Sequence, residues 1–162
     1  MIPDIEYPYM PPGRHLKYVP ADHPFMLEAK KAQETLSTEL GQSTGAVVVL
    51  NEKIIGVGAN QAGIKNRRIQ KKHREGICLR RLLKIPTGTK YWVCPGCAGY
   101  SSHAEQQAIR QAEKNGHDPR GADLYLYGHW WACEPCWNAA IQAGIKDIYV
   151  ADDAHKNFVR KV

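Results

Sequence analysis

Residues 102–151 read SHAEQQAIRQAEKNGHDPRGADLYLYGHWWACEPCWNAAIQAGIKDIYVA, and this stretch decides the fold. Ser102 to about Lys114 is rich in helix formers and ends at Asn115-Gly116, a common helix stop. Leu124–Tyr127 reads as a strand. A second helix is expected from about Cys133 to Ala143, stopped by Gly144, and Ile145–Ala151 supplies another strand.

Working outward, apolar residues from Phe25 to about Leu40 recur at helical spacing, with Gly41 as the stop. Gly45–Leu50 and Ile54–Ala59 are β-branched runs joined by Asn51-Glu52-Lys53, which predicts a hairpin with a three-residue loop. Residues 1–24 hold six of the ten prolines and read as an extended arm. Residues 25–162 then form one domain, with a basic insert at about 61–100 that shows little periodicity beyond a short helix near Ile77–Leu83. The last eleven residues are polar. Helix, hairpin, helix, strand, helix, strand is an α/β order: a mixed sheet covered by helices in three layers.

Charge is concentrated. Residues 61–90 carry ten Lys or Arg against the one acid Glu75, so the excess positive charge of a +6 chain lies there and the rest is net negative. An anionic partner, or simply a solvated basic loop, accounts for such a segment. No apolar run approaches a membrane span, and the first residues lack the basic and apolar parts of a secretion signal. A cytoplasmic protein without a membrane partner is the expectation.

Four of the five cysteines form two C-x-x-C pairs, Cys94/Cys97 and Cys133/Cys136. In a reducing compartment such pairs bind metal or do redox chemistry more often than they form disulfides. His103 and Cys133/Cys136 each lie where a helix starts. Two thiolates and an imidazole make three tetrahedral zinc ligands and leave the fourth position open, the catalytic rather than the structural pattern. Helix N-termini also favour thiolate charge. Glu105 lies two residues after His103, so its carboxylate would sit beside the metal rather than on it and could move protons. Ser102-x-x-Glu105 is equally the pattern of a capping box. The joint occurrence of both motifs, with one helix and one strand between them, favours chemistry.

His103-Ala104-Glu105 followed by Ala108-Ile109, and Cys133-Glu134-Pro135-Cys136 followed by Ile141 and Gly144-Ile145, resemble the paired motifs of the zinc-dependent cytidine and deoxycytidylate deaminase superfamily. Thr44–Val49 and Ile54–Asn60 are similar to its first two strands, so the likeness spans about residues 25–151. It implies a three-layer α/β/α fold, a catalytic zinc on His103, Cys133 and Cys136, and Glu105 as the proton-moving residue. Cys78, Pro86-Thr87-Gly88-Thr89, Tyr91 and Cys94 look most like the deoxycytidylate branch. That resemblance implies deamination of dCMP to dUMP, with Asn60 on the sugar hydroxyl, the backbone at Ala104 on the pyrimidine carbonyl, and the basic segment at the 5′-phosphate.

There are departures. Ala132 stands where proline is usual, and Gly128-His129-Trp130-Trp131 replaces the common strand end. His129 and Trp130 thereby become candidate substrate contacts, or both tryptophans pack the core. Cys94-Pro95-Gly96-Cys97 with Cys78 and His73 would make a closed, structural second zinc site, as some deoxycytidylate deaminases have, although Cys78 could instead be an ordinary buried thiol. The alternatives are a deaminase acting on tRNA or single-stranded nucleic acid, and a non-catalytic zinc-stabilised nucleic-acid-binding module. A homo-oligomer is expected from the resemblance.

Overall fold

The computed structural model describes residues 4–86 and 88–159. Thr87, quoted above, and the outermost residues of the arm and tail lie outside that range. The elements in chain order are β1 (Lys17–Val19), α1 (Pro24–Leu36), β2 (Gly45–Leu50), β3 (Lys53–Ala59), α2 (Arg67–Arg74), α3 (Leu79–Leu82), α4 (Ala104–Lys114), β4 (Asp123–Tyr127), α5 (Glu134–Ala143), β5 (Asp147–Ala151) and α6 (Ala154–Phe158). The five strands make one mixed sheet in the order β1-β5-β4-β2-β3. β2 is antiparallel to β3 and β4, while β4, β5 and β1 run parallel.

Glycine lets the helices sit directly on the sheet. A Cβ at Gly45 would strike the backbone of α1 at Ala29 and Gln33, whereas a Cβ at Gly58 would lie 2.7 Å from Ala104 O and from Gln107 Cβ of α4. Gly45 and Gly58 point to opposite faces of the β2–β3 ladder, because side chains alternate along each strand. The helices α1 and α4 therefore cover opposite faces, and α5 packs beside α4. The result is the three-layer α/β/α fold, with Val47, Val48, Leu124, Leu126, Ile148 and Val150 buried in its centre.

Several local readings change. The hairpin turns through two residues rather than three: Leu50 pairs with Lys53, and Asn51 and Glu52 both take positive φ (50° and 63°), the geometry of a tight two-residue turn. α1 ends at Leu36, not near Leu40, because Ser37 turns its hydroxyl onto Asn60 instead of continuing the helix. The N-terminal arm is not merely extended chain. Lys17–Val19 adds a fifth strand beside β5, Leu16 is buried, and Tyr7, Tyr9 and Met10 pack on the core. α6 adds a short helix in the polar tail, seating Phe158 edge-on to Tyr127.

The basic insert leaves and rejoins the fold at one place. Ala62 bridges Ala98, and Gly63 N–H donates to Cys97 O at 3.0 Å. Inside it lies α2, which hydrophobic periodicity misses because its buried residues are polar: Gln70 and His73. Asn66 caps this helix through Arg68 N–H and Ile69 N–H. Among the described residues, no helix is long and apolar enough to cross a membrane.

Candidate active site

α4 and α5 begin side by side, and their first turns carry the chemistry. His103 is the N-cap of α4 and Cys133 the N-cap of α5, with Pro135 in the first turn and Cys136 behind it. His103 Nδ1 lies 3.3 Å from both Cys133 Sγ and Cys136 Sγ. Zn–S near 2.3 Å and Zn–N near 2.05 Å give a tetrahedral N···S edge of about 3.5 Å, so these three donors fit one zinc ion. Both cysteines are free thiols.

Glu105 is buried beside this triangle. Ser102 belongs to a short 3-10 turn and His103 takes the cap position, so Glu105 falls one place early for a capping box. Burial raises the Glu105 pKa, and negative charge at Cys133 adds to the effect. The Cys133 thiol is drawn down to about 5, chiefly by its hydrogen bond with Cys136 and then by His103, which outweigh burial. Burial raises Cys136 in turn. The cysteine pair thus carries one negative charge readily, and an ion with two positive charges would fix the second.

A narrow cavity of about 60 Å³ opens over His103, Glu105 and Cys133. Asn60 and His129 stand on its wall. The Asn60 carboxamide is engaged on both sides: its Oδ1 accepts from Ser37 Oγ (2.5 Å) and Thr44 N–H (3.0 Å), and its Nδ2 donates to Gln42 O (2.8 Å). His129 Nδ1 is held by the Trp131 backbone. Ala104 is fully buried at the start of α4 and is not among the lining residues. Trp130 is elsewhere, stacked on Tyr7 at 5.8 Å and edge-on to His155 at 4.8 Å. The cavity wall is formed instead by Trp131, the neighbour passed over when the sequence pointed to Trp130. Of the ten basic residues in 61–90, Arg80 is the one that lines the cavity among the described residues.

The second group comes together as well. The donor atoms of His73, Cys78, Cys94 and Cys97 lie within 4.8 Å of one another, all four residues buried. Cys78 Sγ and Cys97 Sγ are 3.7 Å apart, close to the roughly 3.8 Å edge of a zinc–thiolate tetrahedron. Arg80, buried, donates to Thr89 O at 2.9 Å and places Nη1 3.9 Å from Cys97 Sγ. Its guanidinium also covers the Tyr91 ring at 4.2 Å, and Tyr91 meets His103 edge-on at 4.8 Å. A buried cation therefore stands between the two thiol clusters, neither of which would tolerate an uncompensated charge.

Three donors with an acid alongside and an open cavity above follow the open pattern of catalytic zinc sites rather than the closed four-ligand pattern of structural ones. The chain belongs to the family defined by the cytidine and deoxycytidylate deaminase zinc-binding region, whose sequence model matches residues 20–152. Zinc is that family's metal, and two His/Cys groups here can hold a metal ion. The chain is 34% identical to the deoxycytidylate deaminase of Pongo abelii over 122 residues, which cover 74% of this chain and 58% of that protein. It is 43% identical to ComE operon protein 2 of Bacillus subtilis (strain 168) over 51 residues, 32% of this chain and 26% of that protein. Among solved structures, the dCMP deaminase of cyanophage S-TIM5 in complex with dCMP and dUMP aligns over 82% of this chain and 85% of that one. The identity there is 22% and the TM-score 0.48.

Proposed function

We propose that this chain hydrolyses the exocyclic amine of a cytosine nucleotide, with dCMP and water giving dUMP and ammonia. The observation that carries the reading is the buried Glu105 carboxyl beside the His103/Cys133/Cys136 triangle at the floor of the cavity. Those three residues are the proposed zinc ligands, and zinc, when bound, brings the pKa of a water in its open position to about 7. Glu105 would carry one proton of the attacking water to ring nitrogen N3, where it stays in the product, and the water's second proton to the amine, which departs as ammonia. An acid whose pKa is raised by burial suits that transfer. Asn60 and His129 are the proposed sugar and base contacts, and Trp131 takes the wall position first given to Trp130. The choice of dCMP is supported by the likeness to a deoxycytidylate deaminase. Cys78, Cys94, Cys97 and His73 are the proposed holders of a second, structural zinc.

The test is ammonia release from cytosine, cytidine, CMP, dCMP, adenosine and short oligonucleotides. Turnover is expected with dCMP; Glu105→Ala should keep the catalytic zinc and lose at least about 10²-fold in rate. Near wild-type deamination by Glu105→Ala would remove Glu105 from this role. Polynucleotide deamination is the second reading, favoured by Trp92, 79% exposed and two residues after Lys90 in the basic insert. It predicts affinity that falls steeply with salt, unlike that of a mononucleotide.

A further inference from the structure

One carboxylate joins the second thiol cluster to the cavity. Glu39 lies in the connection between α1 and β2 and is 4% exposed. One of its oxygens is 2.6 Å from His73 Nε2 and accepts the Gly41 N–H at 2.8 Å. The other accepts the Gln42 N–H at 2.9 Å and faces Asn60 Nδ2 at 3.4 Å. Glu39, Gln42, Thr44 and Asn60 all stand on the cavity wall, and Thr44 N–H donates to Asn60 Oδ1.

The ring of His73 has little choice of orientation. It is pressed between two glycines: a Cβ at Gly41 would lie 2.6 Å from Nε2, and one at Gly96 would lie 2.7 Å from Cγ. Both buried residues of α2 reach this same connection, since Gln70 Oε1 accepts the Leu40 N–H at 3.1 Å. With Nε2 on the carboxylate, Nδ1 is the nitrogen left to face a metal, and it lies 3.8 Å from Cys94 Sγ. Cys97 Sγ is 3.8 Å from Nε2, the nitrogen already on the carboxylate. A metal-ligating histidine ordinarily donates its other N–H to a carboxylate, which fixes its tautomer and raises its basicity.

The geometry points to Glu39 as the positioning residue of the His73/Cys78/Cys94/Cys97 metal site and as the strut through which that site holds the Asn60 wall of the catalytic cavity. This rests on the reading that the cluster binds zinc. The basic insert is then more than an appendage: an ion held by residues 73–97 braces a cavity-facing loop at 39–44 through a single side chain.

The test compares wild type with Glu39→Gln, which keeps the shape of the side chain and removes its charge. Zinc per chain is counted by elemental analysis, resistance of each ion to a chromophoric chelator is titrated, and KM and kcat for dCMP are measured separately. Wild type should hold two zinc ions. Glu39→Gln should yield one of them at a 10–100-fold lower chelator concentration, the usual loss when such a partner is removed, while the other keeps its wild-type midpoint. KM should rise several-fold with kcat changed less. Gly96→Ala, whose Cβ would press on the His73 ring at 2.7 Å from Cγ and has no Glu39 atom among its nearest neighbours, should reproduce the loss and guards against a folding defect peculiar to Glu39→Gln. One zinc per wild-type chain would overturn the two-zinc reading and this inference with it. Two zinc ions with an unchanged midpoint in both variants would overturn the role of Glu39 alone. A weakened site with unchanged KM would overturn the strut.

Discussion

Gly58→Ala puts a methyl group where β3 and α4 leave no room. The new Cβ would meet Ala104 O and Gln107 Cβ at 2.7 Å and would press on the Ala108 backbone N as well. Ordinary carbon contacts begin near 3.5 Å, so α4 must rise from the sheet by most of an ångström. The atoms in the way are largely backbone, and no rotamer change relieves them. Overpacking of this kind costs about 1–3 kcal/mol, which in a chain of this size lowers Tm by roughly 2–12 °C. The displaced helix opens with Ala104-Glu105 and is capped by His103. A misplacement near 1 Å costs on the order of 10² in rate, so turnover should fall far more than stability does. Gly99→Ala is the matched control, because its Cβ has nothing within 4 Å and its φ is an ordinary −70°. Differential scanning calorimetry, zinc content and ammonia release from dCMP read the three consequences. A Gly58→Ala protein with the Tm and turnover of the Gly99→Ala control would refute the seating of α4 on β3.

Two further substitutions separate packing from chemistry. Trp130→Ala should lower the unfolding free energy measured in urea by less than the roughly 3–5 kcal/mol of a fully buried tryptophan, and leave kcat/KM near wild type, whereas Trp131→Ala should reduce kcat/KM by opening the cavity wall. The reverse pattern would restore Trp130 as the substrate contact. Asp123 sits beside Asp147 on the neighbouring strand, its Oδ1 buried without a hydrogen-bond partner among the described residues, and burial followed by Asp147 raises its pKa. A raised folded-state pKa means the folded chain binds more protons, so ionisation of Asp123 weakens the fold as pH climbs above the unfolded value of about 3.9. Asp123→Asn should therefore raise the urea midpoint at pH 7 and make no difference near pH 3; equal midpoints at both pH values would contradict this.

The triangle and its acid were legible because the chemistry dictates residue type and spacing: a catalytic zinc with an open position needs thiolates and an imidazole, and Glu105 follows His103 too closely to share its direction. The hairpin and the last strand were legible through their β-branched residues, and Leu124–Tyr127 through its alternating leucines and tyrosines. α2 was not, since a helix that buries glutamine and histidine carries no apolar stripe. Glu39 lay inside what read as the tail of α1, where an acidic residue is normally solvent-facing, and only its contacts with His73 and the Gly41 and Gln42 amides reveal otherwise. Lys17–Val19 was hidden by prolines on either side. Adjacent tryptophans cannot be told apart by pattern; Trp130 and Trp131 differ because Tyr7 and His155 claim the first.

All five cysteines of the chain are buried and belong to one or the other thiol cluster, three with His73 and two with His103. No thiol is left over as a bystander. Alkylation or peroxide can therefore reach this protein's thiols only by way of an emptied or opened cluster, and oxidative damage becomes a matter of metal supply. The count of modified cysteines, three or two, would name the cluster that had opened.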